Sequence, residues 1–195
     1  MAKSKPLKQR KTIPYNFGEK HKQYIRRCTI SMINCAEGAV RAGKTVDNVV
    51  AFCHELENTK DKIHLASAST VGNAKIILGD CNGFGIEHWF RGQCRWGKYK
   101  GNEALIIRGP KTHYRERIVI FTGAMMENSF KSIRGNSYGM WIGTEINLHA
   151  KSFVKEAMNR TIAADKRKVF WDLNPDNPKA WIYTDFIDQY AADTK

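Results

Sequence analysis

The sequence predicts an α/β fold in which a mostly parallel central sheet is flanked by helices on both faces, with antiparallel strands added at one side. Three observations predict it. Residues 38–45 read Gly-Ala-Val-Arg-Ala-Gly-Lys-Thr, which fits the phosphate-binding pattern G-x-x-x-x-G-K-[ST] without a mismatch. Short apolar runs alternate with runs of helical spacing, an order that calls for parallel strands joined by right-handed crossovers. With 195 residues and 42% hydrophobic content, the chain can bury one substantial core.

The loop chemistry explains its spacing. A triphosphate needs a row of backbone N–H groups curled around it, so Gly38 and Gly43 must allow conformations and close approaches that side chains would block, with Ala39, Val40, Arg41 and Ala42 spanning the arc between them. Lys44 supplies a compact positive charge for the β- and γ-phosphates, and Thr45 offers a hydroxyl to Mg²⁺ at the positive end of the helix that follows. Such patterns also arise as chance glycine loops before a helix. Here the context is the one the motif demands: residues 29–36 read as a strand, and from residue 46 to 56 Val46, Val49, Val50, Cys53 and Leu56 recur at helical spacing.

The formal net charge of +13, from 32 Lys and Arg against 19 Asp and Glu, points to a polyanionic partner, with nucleic acid first and a solvated basic surface as the alternative. No apolar run approaches a membrane span, and the basic residues Lys3, Lys5, Lys8, Arg10 and Lys11 have no apolar signal core behind them, so a soluble intracellular protein with no membrane partner is expected. Residues 1–11 are expected to form a basic flexible tail ahead of a P-loop domain spanning 12–195. Five cysteines without C-x-x-C spacing suggest reduced, mostly buried thiols, not a disulfide framework or a zinc site, and the six scattered histidines suggest no metal centre.

In chain order, residues 17–27 read as a short helix carrying Gln23 just upstream of the first strand, where one amide offers both the donor and the acceptor needed to read an adenine edge; an exposed helix residue is the alternative. After the phosphate-loop helix, 62–69 read as a buried strand followed by a helix to about residue 78. Ala66, Ser67 and Ser69 fall at the strand exit, where ligands collect in such sheets. A turn at 82–85 leads to an aromatic and basic stretch, Trp89-Phe90-Arg91 and Arg95-Trp96-Gly97-Lys98-Tyr99-Lys100. That stretch reads either as a nucleic-acid grip or as edge-strand packing with snorkelling basic residues. Residues 104–108 and 117–122 read as an antiparallel hairpin.

Residues 129–137 read as a short basic helix and turn, and 138–145 as a strand closing on Glu145. A P-loop ATPase of the ASCE type needs a carboxylate at that place to orient and deprotonate the attacking water. The Asp that would ordinarily precede it on the magnesium side is replaced by Thr144, whose hydroxyl holds a metal-bound water more weakly. A helix over 149–163, a strand over 168–173 ending at Asn174-Pro175, and a helix over 179–192 complete the chain. An amide at the tip of a strand beside the phosphate loop, as at Asn174, can sense a γ-phosphate.

The ordered set Gln23, Gly38 to Thr45, Ile142 to Glu145 and Asn174-Pro175 resembles the ATPase domain of the large terminase subunit of tailed phages, over nearly the whole chain. It is most similar to terminases of phages of Gram-positive bacteria, where Ala-Glu-Gly-Ala-Val-Arg-Ala-Gly-Lys-Thr, Gly-Thr-Glu-Ile-Asn and Trp-Asp-Leu-Asn-Pro are typical wordings. The resemblance implies a motor that hydrolyses ATP with Mg²⁺ to drive double-stranded DNA into a procapsid. It would do so in the host-cell cytoplasm, as a ring of copies, five by expectation, on the portal protein and alongside the small terminase subunit. It assigns Gln23 to adenine, Lys44 and Thr45 to phosphate and Mg²⁺, Glu145 to catalysis and Asn174 to coupling. Thr144 is left an indirect part in holding the metal.

Arg41 matches the arginine that terminases place inside the loop. Arg134, in Ile-Arg-Gly, resembles an arginine offered in trans to a neighbour's ATP, a contribution on the order of a thousandfold or more in rate. Either arginine has DNA or surface contact as its alternative. The nuclease domain that normally follows is not expected in this chain, so no DNA cleavage is expected of it. Two other functions share these residues: a helicase-like, nucleic-acid-stimulated ATPase, and a non-catalytic nucleotide-binding assembly module, the latter suggested by Thr144.

Overall fold

The first described helix packs against the phosphate-loop helix, and the sheet is built beside that pair. The structure is a computed structural model and describes residues 17–191; the basic segment 1–11 lies outside them. Helix α1 (Glu19–Cys28) is followed by β1 (Ile33–Glu37), α2 (Lys44–Asn58), β2 (Ile63–Ala68) and α3 (Val71–Ala74), which runs on as a π-helical turn over Lys75–Asp80. Then come α4 (Ile86–Trp89), β3 (Cys94–Tyr99), β4 (Asn102–Ile107), β5 (Arg117–Gly123), β6 (Met140–Gly143), α5 (Lys151–Arg160) and β7 (Lys168–Leu173). A second π-helical turn, Tyr183–Ile187, leads into α6 (Asp188–Ala191).

The seven strands form one sheet in the order β1-β7-β6-β2-β5-β4-β3. The first five of these are mutually parallel, and β4 and β3 are antiparallel additions. Strand β7 is therefore inserted between the strand that precedes the phosphate loop and β6, the strand that Thr144 and Glu145 follow.

Period-two alternation divides the core. On one face Leu65, Trp141, Val169, Trp171 and Leu173 pack with Phe153, Val154 and Ala157 of α5 and with Ile182, Tyr183 and Phe186. On the other, Ala66, Val119, Phe121, Ile142 and Phe170 pack with Val49, Phe52, Cys53 and Leu56 of α2 and with Leu78, Ile86 and Phe90. Both faces are covered, as a parallel sheet requires. Among the described residues no helix is long and apolar enough to cross a membrane.

The structure corrects several element boundaries. The first strand begins at Ile33, not at residue 29, because α1 closes there: the Thr29 and Ile30 N–H groups donate to Arg26 and Arg27 carbonyls, and Ile30 is left exposed. Lys168, buried on the α2 face of β7, fixes this turn by donating to the Cys28 carbonyl and, at 3.1 Å, to that of Ser31. The expected hairpin of β4 with β5 is extended to a three-stranded antiparallel meander, since the aromatic and basic stretch supplies β3 as the edge. Its aromatics are taken up internally: Lys75 lies 4.7 Å over the Trp96 ring and Lys111 4.5 Å over Trp89. The edge-strand reading of that stretch fits this packing.

The helix expected to end near residue 78 instead widens into the π-helical turn, which ends at Asp80, and Gly85 packs back against it so closely that a Cβ there would come within 1.9 Å of the Gly79 carbonyl oxygen. The helix expected over 149–163 is trimmed to Lys151–Arg160, and the one expected over 179–192 is broken by the turn at Tyr183.

Candidate nucleotide-binding site

The site is assembled where β1, β7 and β6 end side by side. Gly43, at φ +82°, takes a left-handed backbone that a side chain would strain, and it delivers the chain directly into α2 at Lys44. Arg41 also sits in the left-handed region, at φ +64°, and its exposed side chain stands at the rim. Residues 41–46 form one wall of a cleft of about 390 Å³ whose other wall is Ile76, Ile77, Cys81 and Asn82. That second wall is the π-helical segment, which sequence periodicity alone does not attach to the site. The five cysteines are free thiols, and burial pushes Cys81 up to about 11 and Cys35 to about 12, which makes them poor nucleophiles.

Helix α1 clamps the base of this loop. His21 Nδ1 lies 2.6 Å from Asp47 Oδ2, the Tyr24 hydroxyl donates to Asn48 Oδ1 at 2.6 Å, and Asn48 Nδ2 donates onward to the Trp171 carbonyl at 2.8 Å. Gln23 points elsewhere: it is exposed on α1, does not line the cleft, and has no hydrogen-bond partner among the described residues.

Lys44 makes three bonds, one for each ammonium proton. Its Nζ donates to the Gly38 carbonyl at 2.8 Å, to that of Ala39 at 2.7 Å and to Asn174 Oδ1 at 3.1 Å. The tip of β7 is thus tied to the loop. A second tie runs from the Tyr183 hydroxyl to Glu37 Oε1 at 2.7 Å, joining the C-terminal helical segment to the entrance of the loop.

One strand further along, Glu145 follows β6 in a left-handed conformation, φ +52°, and its side chain is half-buried. A non-glycine residue held there is strained, and the hydrogen bonds of its backbone show what holds it. The Glu145 N–H donates to Asp172 Oδ1 at 3.0 Å, and its carbonyl accepts from Leu148 N–H at 2.9 Å. Thr144 donates its hydroxyl to the same Asp172 Oδ1 at 2.9 Å, and both residues are buried.

Asp172 was not singled out by sequence reasoning, although a signal was present. In Lys168-Val169-Phe170-Trp171-Asp172-Leu173, alternation puts an acid on the face that α2 covers, where only a functional or paired carboxylate belongs. Burial pushes its carboxyl above the usual carboxylate range, while the bonds from Glu145 and Thr144, the Thr45 hydroxyl and the Lys44 charge pull it back down.

Two further residues stand apart from the cleft. Ser67, at the exit of β2, is buried and structural: it bonds His149 Nε2 at 2.9 Å and accepts from Trp141 Nε1 at 2.8 Å. Arg134 lies on the α5 side, its guanidinium 4.4 Å over the Phe130 ring and its Nε 3.4 Å from Glu156 Oε1, with the side chain more than half exposed.

Comparison with known proteins agrees with this arrangement. A search of curated proteins finds no match. Among solved structures, the large terminase from a thermophilic bacteriophage, in complex with ADP, superposes with a TM-score of 0.75 at 17% identity, over 90% of this chain and 43% of that one. The HK97 bacteriophage large terminase gives 0.67 at 11% identity, over 92% and 38%. The ATPase domain of the Thermus phage P74-26 large terminase gives 0.54 at 17% identity, over 80% and 63%. The chain spans less than half the length of the first two. Residues 35–195 match the family described as terminase large subunit, T4likevirus-type, N-terminal, and the chain belongs to that family.

Proposed function

We propose that this chain is the ATPase motor portion of a large terminase, with residues 12–195 forming the ATPase domain, and that it hydrolyses ATP to move double-stranded DNA into a procapsid. The observation that carries the reading is the direct bond from Lys44 of the phosphate loop to Asn174 at the tip of β7, with Glu145 at the tip of the adjacent strand. The large terminase from the thermophilic bacteriophage has been solved with ADP and with ATP-gamma-S, which supports a nucleotide in the corresponding cleft.

In this reading residues 38–45 cradle the phosphates and Lys44 leaves its resting acceptors to meet them. Gln23, exposed on α1 and outside the cleft walls, must turn toward the cleft to read the adenine; Glu145 orients and deprotonates the attacking water, and Asn174 reports the state of Lys44 to the rest of the domain. Arg41 serves the charge developing in its own site. The exposed Arg134 swings off Glu156 to serve a neighbouring subunit in a ring of five copies. Mg²⁺ neutralises the phosphate oxygens when bound; the chain offers it Thr45 at the start of α2, with Thr144 acting only indirectly, its hydroxyl being spent on Asp172. The portal protein and the small terminase subunit are the assembly partners, in the host-cell cytoplasm.

The test is ATP turnover with Mg²⁺, with and without duplex DNA, beside a strand-separation assay on a forked duplex. DNA-stimulated turnover without strand separation supports the motor. Strand separation would move the chain to the helicase-like class, and nucleotide binding without any turnover to a non-catalytic assembly module.

A further inference from the structure

The acid missing from position 144 has a counterpart one strand away. In the parallel register of β6 with β7, Gly143 stands opposite Trp171, so the next pair is Thr144 and Asp172. Alternation puts both on the face covered by α2, alongside Ile142 and Phe170. Because β7 lies between β6 and β1, Asp172 is one strand closer to the phosphate loop than Thr144 is, and it stands beside Ala36 of β1.

The two oxygens of this carboxylate are used unequally. Oδ1 accepts from the Thr144 hydroxyl and from the Glu145 N–H. Oδ2 is buried and has no hydrogen-bond partner among the described residues, and no basic side chain pairs with the carboxylate there. Leaving such an oxygen bare is costly, so a water or a cation is expected to complete it. Thr45, the phosphate-loop residue whose hydroxyl faces a divalent cation in this chemistry, stands in the first turn of α2, the helix that covers the sheet face carrying Asp172.

We propose that Asp172 supplies the carboxylate of the divalent-cation site, replacing the acid absent at position 144. Oδ2 faces the cation together with Thr45, while Oδ1 holds Thr144 and the strained backbone of Glu145. One side chain then joins cation occupancy to the placement of the catalytic carboxylate. This rests on the ATPase reading above.

The experiment measures binding of a fluorescent ADP in EDTA, and of Mn²⁺ to the ADP complex by electron paramagnetic resonance, in the parent, Asp172→Asn and Asp172→Ser. Asp172→Asn keeps the shape and an acceptor for Glu145. It is expected to hold metal-free ADP within about threefold of the parent and to weaken Mn²⁺ tenfold or more, a loss of about 1.4 kcal/mol. Asp172→Ser, which also removes the carboxylate while keeping an acceptor for the Glu145 N–H, is expected to show the same loss of about tenfold with metal-free ADP retained, which preserves the test if Asp172→Asn proves unstable. Equal Mn²⁺ affinity in the parent and in whichever Asp172 variant folds overturns the inference and leaves the ATPase reading intact. A parent that binds no ADP overturns both.

Discussion

Lys44 Nζ donates to Asn174 Oδ1 at 3.1 Å, bridging the phosphate loop and the tip of β7 across 130 residues of sequence. With two loop carbonyls taking the other protons, Lys44 has none left over for a phosphate. An arriving γ-phosphate must displace one of these acceptors. The neutral amide is a weaker competitor than an anion, so release of Asn174 is the event that signals occupancy. Asn174→Ala is therefore expected to bind nucleotide within a few-fold of the parent yet lose the signal. Amide exchange over 174–183 checks this: the parent changes its protection when an ATP analogue binds, and the variant does not.

Lys168 is buried, and its ammonium donates to carbonyls at the end of α1 while lying 3.7 Å from Glu55 Oε1. Lys168→Met fills similar space but strands those acceptors and half-unpairs Glu55. The expected cost is about 2–4 kcal/mol, read as a lower urea midpoint, with amide exchange rising first in α1.

Gly85 is expected to tolerate no side chain. The Cβ of an alanine there would overlap the Gly79 carbonyl and the Asp80 backbone, neither of which can move without unwinding the π-helical turn. Gly85→Ala should lose about 3 kcal/mol or more in thermal unfolding and weaken nucleotide binding through the displaced 76–82 wall.

His64 and His149 are fully buried and burial lowers both to about 3, with the Arg117 charge adding to the effect at His64 and bonds to the Asp61 and Glu145 backbones opposing it. Their folded values lie below the ordinary 6.5, so in the window between these two values the unfolded chain binds the protons first. Stability is then complete above about pH 6.5 and falls as the pH drops, with a slope approaching about 1.4 kcal/mol per pH unit for each ring. Urea midpoints measured from about pH 7 to 5 should fall accordingly, and His149→Gln should remove about half of the dependence.

Much of this was legible before the fold was known, for identifiable reasons. The loop at 38–45, the acid at 145 and the amide at 174 are each set by local chemistry, and a strand tip followed by Pro175 has few alternatives. What sequence could not reach depended on register. Thr144 reads as a simple deficit until β7 is seen beside β6 with Asp172 level with it. The second cleft wall depended on a π-helical turn set by the packing of Gly85 on Gly79, which no helical periodicity announces. Ile30 and Met32 mimic strand alternation and so advance the expected start of β1, whereas the turn there is held by Lys168 from the far end of the chain.

The most direct measurement is MgATP turnover by the parent and by Glu145→Gln over a range of protein concentration, with nucleotide affinity measured in parallel. The Glu145 assignment predicts a fall of about a hundredfold or more in turnover with affinity nearly unchanged, and a parent rate that rises more than linearly with protein as Arg134 of one subunit reaches the next. Turnover in Glu145→Gln equal to that of the parent would contradict it.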